Sequence, residues 1–129
     1  MTSTHFANSA SEIVQGDISY IANQIRSELD RLSGQKILIT GGAGFLGYFF
    51  VNLLAQVGES DGRNPIELTV YENFSRGRKK WLDDLANKQN VNLLEHDITK
   101  PLHSDIPKFD YIIHAASIAS PTYYRKFPI

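Results

Sequence analysis

The sequence predicts an α/β chain organised on a partial, doubly wound parallel sheet of about four strands. Three observations carry this. Two short apolar runs, Lys36 to Thr40 and Ile66 to Tyr71, are largely apolar, as expected of strands covered on both faces in a parallel sheet. Between them the stretch KILITGGAGFLGYFF, Lys36 to Phe50, sets four glycines in seven positions where a strand pattern gives way to a helical one. Further along, strand-like and helix-like segments continue to alternate.

Each element has its own warrant. Residues 1–10 are small and polar, and a frayed start is expected. From Asp17 onward, Ile18, Ile21, Ile25, Leu29 and Leu32 recur at three- and four-residue steps, giving one apolar face to a helix that Asp17 caps and Ser33-Gly34 ends. Residues 1–35 thus read as an N-terminal helical extension that packs on its own domain, with an oligomer contact as the alternative. Lys36 to Thr40 is the first strand. After the glycines, Phe45, Leu46, Phe49, Phe50, Leu53, Leu54 and Val57 have helical spacing, and Gly58 terminates the element.

Residues 59–65, ESDGRNP, form a turn-rich loop before the second strand. A right-handed crossover places that strand beside the first, parallel to it. Arg78 to Lys88 is expected to form a short helix, Val91 to Leu94 a third strand and Tyr111 to Ile113 a fourth. The closing segment, AASIASPTYYRKFPI from Ala115, shows no clear element. Residues 36–129 are therefore expected to be the N-terminal part of a larger domain whose sheet continues.

Bulk properties narrow the function. A length of 129 residues suits one domain, and a net charge of −1 offers no global field for nucleic acid or an anionic membrane. The absence of cysteine excludes disulfides, thiolate catalysis and Cys-ligated zinc. No signal-peptide pattern opens the chain and no apolar stretch approaches spanning length, so a cytoplasmic location is expected.

Gly42, Gly44 and Gly47 satisfy G-x-G-x-x-G in the context that gives the motif meaning, directly after a strand and opening a helix. The early glycines make the turn and let backbone N–H groups approach a pyrophosphate, and the last lets the helix pack close to the strand. The helix N-terminus favours the bound negative charge. A P-loop is excluded, because no Gly-Lys-Ser or Gly-Lys-Thr follows the turn. Glu72 follows the second strand, where a carboxylate accepts from the adenosine ribose hydroxyls, and this favours NAD over NADP. Against that stand Arg76, Arg78, Lys79 and Lys80, a basic cluster that reads either as a solvated helix face or as a 2′-phosphate contact. Asp97-Ile98 and Ala115-Ala116-Ser117 follow the third and fourth strands, on the edge where open α/β sheets bind ligands.

TGGAGFLG (40–47), YENFSRG (71–77), HDI (96–98) and HAASIASPTYY (114–124) resemble the extended short-chain dehydrogenase/reductases that act on nucleotide sugars, the NAD-dependent epimerase/dehydratase family. The last segment is most similar to UDP-glucuronate decarboxylases, with sugar-nucleotide dehydratases and epimerases close by. The resemblance implies a Rossmann-type fold, NAD as cofactor and a nucleotide-sugar substrate. It places Gly41, Gly44, Phe45 and Leu46 at the pyrophosphate, and Glu72, Asn73 and Ser75 around the adenosine ribose; Gly47 in the same turn and Arg76 beside the ribose are further expected cofactor-binding residues. It puts Asp97 and Ile98 beside the adenine, Ala115, Ala116 and Ser117 along the inner half of the cofactor, and Ser120, Tyr123 and Tyr124 on the sugar side. His114 is expected to pack beneath the fold.

Three departures from the family pattern matter. Glu72 stands where Asp is common, Tyr48 stands where Ser is common, and the helix before Lys36 lies outside the common core. A larger difference is the catalytic Tyr-x-x-x-Lys pair, because none of the six tyrosines has lysine at the fourth following position. No catalytic or metal-binding residue is therefore assigned within these 129 residues. Two functions remain open: the NAD-binding portion of a nucleotide-sugar-modifying enzyme, inactive alone, or a noncatalytic dinucleotide-binding or scaffold protein. An unpaired sheet edge would favour self-association, so a homo-oligomer is expected.

Overall fold

Ile37, Leu38 and Ile39 are at most 3% exposed, as a strand with neighbours on both edges and cover on both faces must be. The computed structural model describes residues 9–117 and 120–128. Their run forms β1 (Lys36–Thr40), followed by α3 (Phe45–Ala55) and β2 (Glu67–Glu72), after two helices, α1 (Ala10–Gln24) and α2 (Arg26–Leu32). Next come α4 (Lys80–Leu85), β3 (Val91–Glu95), β4 (Tyr111–His114) and α5 (Pro121–Lys126). The sheet is four-stranded, in the order β3-β2-β1-β4.

All three strand pairings are parallel, with Ile39 opposite Val70 on one side and Ile113 on the other. The α/β reading thus holds, and β1 and β2 are parallel neighbours, as expected. From β1 the chain moves outward through β2 to β3, then returns to the far side of β1 for β4. That reversal creates a switch point between β1 and β4, where the carboxyl ends of the strands open a crevice.

The main apolar cluster lies on one face of the sheet, while Leu38, Thr40, Thr69 and Tyr71 are buried on the other. Ile37, Ile39, Leu68, Val70 and Val91 meet Val51 and Leu54 from α3 and Leu82 from α4 in one buried cluster. Each such side chain contributes about 1.5–3 kcal/mol through burial. Leu29 of α2 joins the same cluster, so the helices before β1 share the core of the sheet. Arg63 fastens them at the rim, bonding to Asp30, Asp61 and the Arg26 carbonyl.

Several boundaries differ from the sequence reading. The first helix starts at Ala10 instead of Asp17, because Ser9 accepts from the Glu12 amide while the Glu12 carboxylate accepts from the Ser9 amide, a reciprocal capping box. Fraying therefore does not apply to residues 9 and 10, and residues 1–8 lie outside the described ones. Ile25, at φ −114° and ψ 36°, breaks the helix into α1 and α2. The helix expected over Arg78 to Lys88 covers only Lys80–Leu85. The closing segment does contain an element: Ser120 precedes α5, with Pro121 in the first turn, where its missing N–H costs nothing.

Candidate functional site

Local chemistry shapes the turn after β1. Gly41 adopts φ +73°, and a Cβ there would lie 2.5 Å from the Ala116 Cα, so both backbone sign and space require glycine. At Gly47 a Cβ would sit 2.7 Å from the carbonyl oxygens of Gly41 and Gly42. The last glycine of the motif thus lets α3 seat against the turn, as the sequence predicts. Gly44 is different. It is the N-cap of α3 at φ −74° and ψ 177°, a conformation any residue adopts, and a Cβ would meet only the Gly41 oxygen at 3.5 Å. The fold does not need glycine at this position.

A cleft of about 390 Å³ opens at the carboxyl ends of the strands, bounded by the glycine turn, the loop after β2, the segment after β3 and the segment after β4. Gly41, Gly44, Phe45, Glu72, Asn73, Ser75, Arg76, Asp97, Ile98, Ala115, Ala116 and Ser117 all line it. Residues scattered over 77 positions of chain are brought together by four parallel strands ending at one edge. Leu46 and Gly47 do not line the cleft: the Leu46 side chain is 62% exposed and Gly47 is buried under the turn. Ser120, Tyr123 and Tyr124 also lie outside the lining, on and before α5, where Tyr123 packs on Phe127 at 5.5 Å between ring centroids.

Glu72 occupies the centre of this edge. One carboxylate oxygen accepts from the Ala43 N–H at 3.0 Å, joining the glycine turn to the end of β2. The other accepts from Asn73 N–H at 3.1 Å and Phe74 N–H at 3.2 Å. Phe74 has φ +53°, the sole non-glycine residue described in the left-handed region, and its carbonyl accepts from the Gly77 amide at 2.8 Å. The loop is therefore a held conformation rather than a slack one.

Around it the charges divide into committed and uncommitted. Arg78 pairs with Asp83 at 2.6 Å and lies 4.2 Å above the Phe74 ring, and Lys80 pairs with Asp84 at 2.6 Å. Arg76 and Lys79 line the cleft and form no ion pair among the described residues. Asp97 accepts from the Thr99 hydroxyl at 2.7 Å and the Thr99 amide at 2.9 Å, and these bonds, the hydroxyl first, hold its carboxyl below the usual aspartate range.

Sequence reasoning missed His96. It lines the cleft against the Tyr71 ring, 5.2 Å between centroids, and its Nε2 is the one buried side-chain polar atom without a partner among the described residues. A polar atom so placed costs about 1–3 kcal/mol unless water or a ligand meets it. The available signal was its position directly after a strand. His114, in contrast, is exposed and not packed beneath the fold; its Nδ1 lies 2.6 Å from the Thr40 hydroxyl. No group of three or more His, Cys, Asp or Glu among the described residues could hold a metal ion.

A second cleft, about 440 Å³, lies between α1, α2 and the turn after α3. Its Arg63 is committed to Asp30 and Asp61, and it shares no lining residue with the cleft at the strand ends.

Residues 37–128 match the NAD dependent epimerase/dehydratase family. The chain belongs to this family. Among curated proteins it is similar to UDP-glucuronic acid decarboxylase 1 of Danio rerio, 40% identical over 103 residues, which is 80% of this chain and 22% of that protein. The Xenopus tropicalis protein of the same name is also 40% identical over 103 residues, 80% of this chain and 21% of its own. UDP-glucuronic acid decarboxylase 1 of Arabidopsis thaliana is 36% identical over 94 residues, covering 73% of this chain and 19% of that protein. The chain thus spans about a fifth of the length of these relatives. No described helix is long and apolar enough to cross a membrane.

Proposed function

We propose that this chain is the NAD-binding portion of a nucleotide-sugar-modifying enzyme of the UDP-glucuronate decarboxylase, dehydratase or epimerase kind. The carrying observation is Gly44. Its backbone is bare at a helix N-terminus, inside the cleft, where neither φ nor packing requires glycine. Close approach of a diphosphate supplies the missing reason, because helix N-termini present free N–H donors and a positive dipole end.

On this reading the amides of Phe45 and Leu46 meet the diphosphate beside the bare backbone of Gly41 and Gly44, while the Gly44 N–H stays bonded to the Gly41 carbonyl within the turn. Glu72, Asn73, Ser75 and Arg76 surround the adenosine ribose, Asp97 and Ile98 flank the adenine, and Ala115 to Ser117 leave room for the inner half. Ser120, Tyr123 and Tyr124 face the sugar. NAD is the cofactor, because the Glu72 carboxylate would repel a 2′-phosphate. A nicotinamide supplies a reversible hydride acceptor for the sugar C4. A ketone at C4 of a glucuronate stands β to the carboxylate carried on C5, so that group can leave as carbon dioxide, its bonding pair passing to the C4 oxygen as an enolate that is then protonated at C5; this connects the reading to the decarboxylase names of the relatives.

The hydroxyl proton must go to a base, and none of the tyrosines present has the lysine spacing for that role. The 129-residue chain therefore binds NAD without turning over UDP-glucuronate. The same feature favours a second reading, a noncatalytic dinucleotide-binding protein. Titration calorimetry with NAD tests the common claim, and no heat at millimolar NAD overturns it. Release of carbon dioxide by the purified chain overturns its inactivity. The cytoplasm is the proposed compartment. Self-association is proposed through the β4 edge, where Tyr111 and Ile112 are 47% and 64% exposed.

A further inference from the structure

We propose that Glu72 is a positioning residue for the glycine turn, holding the backbone that receives a diphosphate in addition to facing the ribose. The ligand arm of this proposal rests on the dinucleotide reading above; the turn itself does not. A carboxylate offers about four acceptor positions. Three are taken by backbone donors from two separate segments, Asn73 and Phe74 beside it and Ala43 across the sheet edge at 3.0 Å.

The two kinds of bond depend differently on side-chain length. Contacts to the next two amides are within reach of a short Asx-type side chain. The bond to Ala43 spans from β2 to the turn after β1, a sequence separation of 29, so on this proposal it is the one a side chain shorter by a methylene gives up first. Ala43 precedes Gly44, the N-cap of α3, so fixing its N–H fixes the direction in which the following amides point. The bond also ties that turn to Phe74, which is held at φ +53°. One carboxylate thus sets the relative position of the diphosphate and ribose halves of the cleft.

Glu72→Asp separates the roles, because it keeps the charge and the local bonds while losing the reach to Ala43. Amide hydrogen exchange by NMR on the ligand-free chain reads the clasp directly. The Ala43 amide should exchange about tenfold or more faster in E72D, with amides of β1 and the body of α3 unchanged; equal Ala43 rates overturn the proposal. Affinities for ADP and adenosine supply the second arm. E72D should weaken ADP by about 5- to 30-fold and adenosine by a clearly smaller factor, because both ligands lose part of the ribose contact but only ADP also meets the released turn. Equal losses for both ligands make Glu72 a ribose contact alone and overturn the proposal. If the parent chain binds no ADP, the dinucleotide reading fails, while the exchange comparison still decides whether the clasp exists.

Discussion

Replacing Gly44 with aspartate should strengthen the free chain and abolish most of its ligand binding. Aspartate is among the best N-cap residues, its carboxylate accepts from the first-turn amides, and its charge suits the dipole of α3. The backbone at φ −74° and ψ 177° accepts an L-residue, and the new Cβ makes only a 3.5 Å contact. The capping gain is about 0.5 kcal/mol, a rise of roughly 2 °C in Tm for a domain of this size. For a bound diphosphate the sign reverses. Two unit charges about 4 Å apart repel by about 4 kcal/mol at an effective dielectric near 20. The open mouth of the cleft and ordinary salt reduce that to about 2 kcal/mol, roughly a 30-fold loss of affinity. Thermal melts and ADP titrations on parent and G44D chains measure both. A variant that melts at or above the parent yet binds ADP within twofold of it would refute the argument that Gly44 serves a ligand.

Other substitutions probe the rest of the edge. Gly47→Ala pushes a methyl to 2.7 Å from two carbonyl oxygens, and moving to ordinary contact at 3.4 Å requires a shift of about 0.7 Å in α3. The overpacking cost, less the helix preference of alanine, leaves a net loss of about 1–2 kcal/mol, visible as a lower denaturation midpoint. Thr99→Val removes the hydroxyl that most lowers the Asp97 pKa, so a carboxyl-carbon NMR titration should show the Asp97 midpoint rising toward the ordinary value of about 3.9. Because the folded-state value is depressed, the stability linked to Asp97 is present above about pH 4 and is lost as pH falls through the folded midpoint, so the variant should lose less on acidification. Light scattering should show concentration-dependent association that Ile112→Lys on the β4 edge reduces; a clean monomer at high concentration would count against that interface.

The sheet was legible because its signals are one-dimensional. Continuous apolar runs at Ile37–Ile39 and Leu68–Tyr71 announce strands covered on both faces, and Gly41–Gly47 marks the turn by composition alone. Boundaries failed where local bonds or short length override periodicity. The apolar steps Ile21, Ile25, Leu29 and Leu32 run straight through the break at Ile25, so spacing could not reveal it. The true start of α1 is written in Ser9-x-x-Glu12, a capping signature that precedes the apolar face. Six residues of α5 are too few to display a helical period, although Ser120-Pro121 has the cap and first-turn chemistry of a start. At the site, strand-end positions were enough to bring twelve named residues to one cleft. What Glu72 touches was not legible, since the reach of a side chain across two strands depends on register and twist.

The topology explains why the legible residues and the hidden contact meet. Parallel strands place every carboxyl end on the same edge, and the reversal of order at β1 leaves the turn after it flanked by β2 on one side and β4 on the other. From β2, Glu72 bonds to that turn; from the far side, Ala115 and Ala116 close on Gly41, where no Cβ fits. The turn is thus fixed at both flanks while Gly44 at its tip carries no packing constraint. A site for a charged ligand requires that combination, because amides held in place lose little freedom on binding and bare backbone lets the ligand reach them.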